Sequence, residues 1–269
     1  MEIDKDGNAV VKMASGYVLR FEGDPEFEQV YLDRAKNELN ETPERRAEAL
    51  AELRKLIQEE KNLYLPTDAS TELYLLAYLR VCKFYPDSAF KRVKSLYKLR
   101  QKNPKYCSDL IPSIEKNVFE QNILTVLPLR DQHGRRIMIT ECGQRWKVKN
   151  CSLTEIFRGI ELVMEAAILE PRTQVSGTVL LVDFIGLTIN HVWQFTPNFA
   201  KLTLDWIQLF FHGYDHTSLL SYLDAKCLPT KYGGLMDIET NQGVDLWNLL
   251  CHYEDNYKVT NEFGYKKNK

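Results

Sequence analysis

The stretch SGTVLLVDFIGLTINHVWQFTPNFAKLTLDWIQ, residues 176–208, decides the fold of this chain. It begins with TVLLV at 178–182, a continuous apolar run that ends at the turn-prone segment DFIG. A run that is apolar on both faces is typical of a central strand buried between two layers. Apolar residues then recur at helical spacing, and Pro197 suits the first turn of a helix. The stretch therefore predicts a strand, a turn and a helix with a wide aromatic face over 191–208, which is half of a βαβ unit.

The rest of the chain supplies helices first and then strands. Apolar periodicity and proline or asparagine breaks predict four helices between 27 and 99, joined by short loops. Residues 123–127 and 136–140 predict a hairpin whose turn contains Gly134. Ser152-Leu-Thr-Glu has the spacing of a capping box, so it opens a helix that ends at Pro171. A strand, a crossover helix and the strand 178–182 predict a parallel pair within an α/β fold.

Composition excludes several classes of protein. The 269 residues are 44% hydrophobic and 27% charged, which is typical of a globular protein. A net charge of −2 gives no basic field for nucleic acid. The six cysteines are scattered, no pair has CxxC spacing, and the N-terminus lacks an apolar signal region, so we expect reduced thiols and a cytoplasmic protein. No apolar segment approaches the length of roughly 20 residues that spans a bilayer.

Catalytic and metal-binding motifs are absent from the sequence. There is no Gly-rich phosphate loop, GxSxG elbow or HExxH helix. His212 and His216 have i, i+4 spacing, but Gly213 between them argues against a shared helix and a metal. Asp183 ends a predicted parallel strand, where α/β enzymes place catalytic groups, yet a turn-forming aspartate is the favoured interpretation. We therefore expect no enzyme, no metal and no cofactor.

The apolar stripes of helices 152–170 and 191–208 have two interpretations. Helices that cover a sheet always carry such stripes, so core packing is the default. Bulky aromatic residues mixed with methionine also suit the adaptable lining of an apolar ligand pocket. The pattern alone leaves both interpretations open.

Several motifs together resemble the CRAL-TRIO (Sec14-like) family, in its tocopherol-transfer and retinaldehyde-binding branch. These motifs are YLR at 78–80 with Phe84, the run 157–206 containing FTP at 195–197, FHG at 211–213, and LPxxYGG at 228–234. The resemblance covers about residues 40–236. It implies an all-helical N-terminal domain followed by an α/β lipid-binding domain with a mixed, largely parallel sheet. It also implies a non-catalytic cytoplasmic carrier, peripheral to membranes, for a small lipophilic ligand such as a retinoid, tocopherol or related lipid.

Matching the motifs residue by residue places the family's ligand-lining positions on this chain. Ile160 and Met164 fall where the tocopherol carrier has small hydroxyl side chains, so a chromanol would lack polar anchoring here. The predicted ligand-binding residues are Phe157, Ile160, Met164, Thr178, Val182, Ile189, Phe195, Thr203, Trp206 and Ile207.

The chain departs from the family between Gln208 and Leu209. Family members carry a further segment there, with another strand and the amphipathic lid helix, and this chain lacks it. The same segment holds most of the basic residues that contact phosphoinositide, and a further arginine of that contact falls at Cys82. The family therefore implies phosphoinositide binding at a membrane surface, but its basic residues are largely absent here.

Four segments and two functions follow as expectations. We expect a flexible arm over 1–24, a helical domain over 25–112, a lipid-binding domain over 113–236, and a C-terminal helix and tail over 237–269. The shortened sheet leaves apolar surface open, which predicts lower stability and self-association. The alternative to a carrier, impaired or not, is an interaction or regulatory isoform without bound ligand.

Overall fold

The computed structural model describes residues 1–4, 9–21, 28–197, 199, 212–213 and 216–266. In chain order the strands are β1 Glu2–Ile3, β2 Ala9–Lys12, β3 Val18–Leu19, β4 Leu63–Tyr64, β5 Leu124–Arg130, β6 Arg136–Glu141, β7 Thr178–Asp183 and β8 Gly264–Tyr265. The helices are α1 Gln29–Leu39, α2 Pro43–Glu59, α3 Glu72–Val81, α4 Pro86–Lys102, α5 Pro104–Cys107, α6 Lys116–Glu120, α7 Leu153–Ile168, α8 Pro171–Ser176, α9 Ile189–Val192, α10 His216–Tyr222, α11 Gly243–His252 and α12 Glu254–Asn261.

Contacts divide the chain into two compact units, and each is discontinuous in sequence. The first, here called the sheet unit, combines Met1–Arg20, Glu115–Ile160 and Thr178–Leu249. The second, here called the helical unit, combines Phe21–Ile114, Glu161–Gly177 and Leu250–Lys269. The domain boundaries expected at 112 and 236 stay a prediction.

The central sheet of the sheet unit is mixed, with strand order β5-β6-β7. β5 and β6 pair antiparallel, and β6 and β7 pair parallel from Arg136↔Thr178 to Glu141↔Asp183. The predicted hairpin and parallel pair are both confirmed. The expectation that 178–182 is the central strand is wrong for the part of the sheet that the structure describes. β6 is central and wholly buried, whereas β7 pairs with β6 alone and its apolar residues are half-buried.

The N-terminal residues that the structure describes are not a loose arm. β1, β2 and β3 form an antiparallel sheet, and the side chains of Ala9, Val10 and Val11 are buried. The flexible arm expected over 1–24 is therefore corrected for residues 9–12 and 18–19. The apolar run there is too short, among glycine and charged residues, for its burial to show in the sequence.

The helical unit contains the four predicted helices as α1 to α4. Thr42 begins α2: its hydroxyl oxygen accepts a hydrogen bond from the backbone amide of Arg45 at 3.2 Å, and Pro43 is the first helical residue. The core of this unit is a cluster around Leu53, Leu79 and Phe84, which are fully buried. These helices therefore form because each buries one apolar face.

A buried ionic cluster joins α4, α7 and α12 within the helical unit. Arg100 forms an ion pair with Glu165, and the Thr260 hydroxyl donates to the other Glu165 oxygen at 3.3 Å. Glu161 lies one helical turn before Glu165 and is 5% exposed. Burial raises the pKa of Glu161 to about 7; Arg100 opposes this rise and Glu165 adds to it. Two carboxyl groups therefore share one arginine, and Glu161 is largely protonated below neutral pH.

Helix α7 begins with the predicted capping box and approaches the sheet at a glycine. The Ser152 amide donates to Glu155 Oε2 at 2.7 Å, and the Glu155 amide donates to Ser152 Oγ at 3.2 Å. At Gly159 a Cβ atom would lie 2.7 Å from Leu124 Cδ1 and 2.8 Å from Val118 Cγ1. The glycine therefore allows close packing of α7 on β5 and α6, at the cost of helix propensity.

Replacing this glycine tests the close approach. At a solvent-exposed position inside a helix, replacing glycine by alanine raises the free energy of unfolding by about 1 kcal/mol. Here we expect Gly159→Ala to lower the free energy of unfolding by about 1 kcal/mol, because overpacking costs about 1–3 kcal/mol. Urea denaturation measures the difference. Adding Leu124→Val removes the nearest atom, so the double variant should lose less than the sum of the two single losses; a stabilised single variant would contradict the packing.

Glu161 makes stability depend on pH. Its pKa in the folded protein lies above the ordinary value of 4.5, so its contribution to stability is complete below about pH 4.5 and is lost as the pH rises to about 7. We expect Glu161→Gln to match the wild type near pH 5 and to exceed it by about 2–3 kcal/mol at pH 8. Urea unfolding at both pH values measures this. Glu165→Gln is the control, because losing the partner of Arg100 should destabilise at both; a pH-independent effect of Glu161→Gln would refute the assignment.

Candidate functional site

Four aromatic side chains form a row, and two of them, Phe195 and Phe199, belong to the segment 176–208. The Trp146 and Phe195 ring centroids are 6.0 Å apart, those of Phe195 and Phe199 6.0 Å, and those of Phe157 and Phe199 5.7 Å, all in edge-to-face geometry. Trp146, Phe157 and Phe199 are buried and Phe195 is half-buried. Edge-to-face pairs of this kind stabilise beyond the area that they bury. The row is therefore an ordered apolar cluster of the sheet unit.

Trp146 is fixed by hydrogen bonds that also place α9. Its indole N–H donates to the Cys151 carbonyl at 2.7 Å. The Nδ1 atom of His191 accepts from the Thr188 amide at 2.9 Å, so Nε2 carries the proton and donates to the Trp146 carbonyl at 2.8 Å. His191 is therefore a structural link between the Trp146 loop and the start of α9.

The predicted ligand-binding residues fall into three groups. Phe157 and Phe195 lie in the aromatic row, Thr178 and Val182 are half-buried on β7, and Ile160 and Met164 are half-buried on α7. Met164 belongs to the helical unit and the others just named to the sheet unit.

Four predicted positions remain. Ile189 is 70% exposed on α9. Thr203, Trp206 and Ile207 lie outside the described residues, as does most of the helix expected over 191–208. That all ten positions line one pocket stays a prediction.

A shallow hollow of about 550 Å³ opens at the surface of the sheet unit. It is bordered by residues of the 143–150 loop and of 186–191, among them Lys147, Lys149 and His191. None of the predicted lining residues that the structure describes borders it. Trp146 of the aromatic row borders the hollow, whereas Phe157, Phe195 and Phe199 do not.

Sequence reasoning missed a buried polar cluster at the carboxyl ends of β6 and β7. Lys231 pairs with Glu141 and lies 3.3 Å from Asp183 Oδ2, and Arg145 Nε lies 2.9 Å from Glu141 Oε2. The Tyr232 hydroxyl donates to Asp183 Oδ2 at 3.0 Å, and burial raises the pKa of Tyr232 well above its usual value. Lys231 and Tyr232 belong to the LPxxYGG motif, which in the sequence served only as a family marker. The motif therefore anchors the closing segment of the chain to the sheet.

Asp183 is occupied by structural partners. Its Oδ1 atom accepts from the Ile185 amide at 2.8 Å, which confirms the turn-forming interpretation. Its Oδ2 atom accepts from Tyr232 and lies beside Lys231. The carboxylate thus closes the turn after β7 and holds the motif in place.

Several cysteine and histidine side chains of the sheet unit are also buried or in contact with other side chains. Burial raises the pKa of the Cys142 and Cys151 thiols to about 12, so both stay protonated at neutral pH. His212 Nδ1 lies 3.1 Å from the Ser218 hydroxyl, and the His216 ring packs on Tyr232. Over the described ranges no three His, Cys, Asp or Glu side chains are grouped to hold a metal ion.

The segment after β7 exposes large apolar side chains. The fractional exposures are Phe184 46%, Ile185 40%, Ile189 70%, Val192 53% and Trp193 77%. We call these five residues the 184–193 surface. The sequence predicts a turn over 183–186 and the start of a helix at 191 for this stretch, and neither prediction indicates its exposed apolar side chains. Among the described residues no helix is both long and apolar enough to cross a bilayer.

Comparison with known proteins finds similarity to one family. Residues 120–214 match the model of the CRAL/TRIO domain. The Mus musculus protein named alpha-tocopherol transfer protein-like is 29% identical over 264 residues, covering 83% of this chain and 75% of the relative. The Homo sapiens protein of that name is 29% identical over 266 residues, covering 84% and 75%. Clavesin-2 of Mus musculus is 25% identical over 269 residues, covering 83% and 80%.

The alignment lengths also agree with an internal gap. The 264 positions aligned with the first Mus musculus relative cover 83% of the 269 residues here, or about 223, so about 40 positions of the relative face no residue of this chain. The expected junction, Gln208 to Leu209, lies outside the described residues. Residues 120–214 of this chain therefore match the CRAL/TRIO domain, and the chain is similar to proteins named for tocopherol transfer and to clavesin-2.

Proposed function

We propose that this protein binds one small lipophilic molecule, such as a retinoid, a tocopherol or a related lipid, and transfers it between membranes in the cytoplasm without catalysis. The observation that carries the proposal is the CRAL/TRIO match over 120–214, a segment that holds both the aromatic row and the 184–193 surface. The relatives named for tocopherol transfer support a lipophilic ligand in general. The choice of a retinoid, a tocopherol or a related lipid is our proposal.

The free energy for ligand binding comes from apolar burial. A hydrophobic molecule the size of a retinoid buries several hundred Å², which gives on the order of 10 kcal/mol before the costs of association. Phe157, Val182 and Phe195 are apolar side chains of the sheet unit that would supply such surface. The protein needs no chemical step to hold or release such a ligand.

Extraction of the purified protein tests ligand binding most directly. We expect organic extraction and mass spectrometry to recover about one lipophilic molecule per chain. Side chains of a strand alternate between faces, so Thr178 and Val182 share one face of β7 and Leu181 lies on the other. Val182→Phe should reduce the recovered ligand, whereas the matched variant Leu181→Phe should not.

Two outcomes would overturn this assignment. An empty wild-type chain that still captures defined protein partners would support the interaction or regulatory isoform. Equal loss of ligand in Val182→Phe and Leu181→Phe would mean that the predicted face of β7 does not line the site.

The 184–193 surface supports contact with a bilayer. Trp193 and Ile189 expose most of their apolar area, and tryptophan is enriched at the boundary between water and lipid. A carrier must touch a membrane to load and release a lipid, so an apolar surface on the same domain is consistent with the proposed transfer.

Serine substitutions at this surface test the membrane contact. We expect Ile189→Ser with Trp193→Ser to weaken binding to neutral phosphatidylcholine vesicles by about tenfold or more, because burial of each large side chain is worth more than 1 kcal/mol. The matched control is Ile114→Ser with Leu235→Ser, which removes apolar residues that are 65% and 68% exposed elsewhere. Sedimentation with vesicles measures binding. Equal binding by both variants would contradict the membrane contact. Dimers in light scattering that only the first variant abolishes would assign the surface to self-association.

A further inference from the structure

A buried hydroxyl group in the central sheet has no hydrogen-bond partner. The side chain of Thr140, on β6, is 1% exposed, and its Oγ1 atom forms no hydrogen bond with any residue that the structure describes. The buried hydroxyl of Thr125, on the neighbouring strand, donates instead to the Thr240 carbonyl at 3.4 Å. Burying a hydroxyl without a partner costs free energy, and such a group is therefore a candidate to bind a molecule that the protein carries.

The strand register places Thr140 on the face of the sheet that α7 covers. Thr140 lies opposite Leu124 of β5 and opposite Val182 of β7. Residues that lie directly opposite each other in paired strands point to the same face. A Cβ atom at Gly159 of α7 would lie 2.7 Å from Leu124 Cδ1, so α7 packs on this face. Thr140 is therefore the middle residue of a row beneath α7, next to Val182, which is one of the predicted ligand-binding residues.

The side chains around Thr140 on this face are apolar. The neighbouring row of the sheet consists of Val126, Met138 and Leu180. Arg136 shares the face but lies four residues away, about 13 Å along the strand. Its guanidinium group donates to the backbone carbonyls of Leu127 at 3.3 Å and Arg20 at 3.2 Å. A trapped water molecule needs about two to four polar partners, whereas the side chains here offer it the Thr140 hydroxyl alone, so a molecule with one polar end fits this place better.

We propose that Thr140 anchors the polar end of the ligand: its hydroxyl forms a hydrogen bond with a neutral hydroxyl or carbonyl group of a bound lipid. This inference rests on the proposed function and names the chemical class of ligand that the site accepts. A threonine hydroxyl both donates and accepts, so it suits either group. Burying an ionised carboxylate costs far more than burying a hydroxyl, and the guanidinium group of Arg136 is already engaged. The site therefore favours a lipid alcohol or aldehyde over the corresponding acid.

The position of Thr140 also determines the direction in which such a lipid binds. β6 is wholly buried, whereas residues 178–182 of β7 are half-buried. Adjacent strands lie about 5 Å apart, so the Thr140 hydroxyl is one strand further into the sheet than Val182. The polar end of the lipid therefore points inward to β6, and its apolar chain extends toward β7.

The experiment uses the full chain and removes the hydroxyl while keeping the shape of the side chain. Thr140→Val is compared with Thr125→Val, a matched control because Thr125 is also buried and lies on the opposite face of the sheet. Thr140→Ser keeps the hydroxyl and serves as the rescue variant. Thermal melts of the lipid-free proteins check folding, and Thr140→Val should melt no lower than the wild type because the hydroxyl that it removes is unpaired.

Two readouts measure the hydrogen bond to the ligand. The first is the amount and chemical class of lipid that organic extraction and mass spectrometry recover from each variant. The second is fluorescence titration with all-trans-retinol and with anhydroretinol, which has the same carbon skeleton and no oxygen. Comparing the two probes separates the hydrogen bond from apolar burial, which both probes share.

We expect the wild type and Thr125→Val to carry a lipid alcohol or aldehyde, and Thr140→Val to lose most of it. Thr140→Val should bind retinol about tenfold more weakly and anhydroretinol with unchanged affinity, because one hydrogen bond of this kind contributes about a factor of ten. Thr140→Ser should restore the preference for retinol.

Four outcomes would overturn the anchor. They are an extracted lipid that is an acid or a pure hydrocarbon, equal loss of lipid from both valine variants, a preference for retinol that survives in Thr140→Val, and a Thr140→Val chain that melts well below the wild type. A wild-type chain without any lipid would refute the proposed function itself. Lipid retained in full by Thr140→Val would refute this inference and leave the proposed function standing.

Discussion

Two buried carboxylates lie side by side because β6 and β7 pair in parallel and in register. Glu141 and Asp183 are opposite each other at the carboxyl ends of these strands, and each is exposed by less than a tenth. Two negative charges at such a place would repel each other strongly without cations. Lys231 bridges both and Arg145 pairs with Glu141, so the closing segment must return to this edge of the sheet. Lys231, at an unspecified position of the LPxxYGG motif, thus offsets the negative charge that the strand pairing concentrates there.

Local patterns predicted local structure well. The hairpin turn, the start of α2 at Thr42 and the capping box of α7 depend on residues within a few positions of one another. The parallel pair joins distant residues and was predicted from the order of strand, crossover helix and strand. The central position expected for β7 failed because an apolar run shows that a strand is covered and cannot show which strands flank it.

The candidate site was harder to predict than the fold. The cluster of Glu141, Asp183 and Lys231 joins residues up to 90 positions apart, and no spacing rule links them. The raised pKa of Glu161 also depends on distant residues. It follows from burial and from the nearby Glu165, against the opposing effect of Arg100, which lies on a helix about 60 residues earlier in the chain. In sequence both look like ordinary charged positions on a helix or strand. Only the packed structure distinguishes them from solvated charges.

Apolar periodicity and charge runs share a further ambiguity. A stripe of large apolar residues predicts one covered face, yet the large apolar side chains of the 184–193 surface are 40–77% exposed. A run of lysines is most simply a solvated face. Whether such side chains are covered depends on the packing of distant segments, which the spacing of apolar or charged residues along the chain does not record.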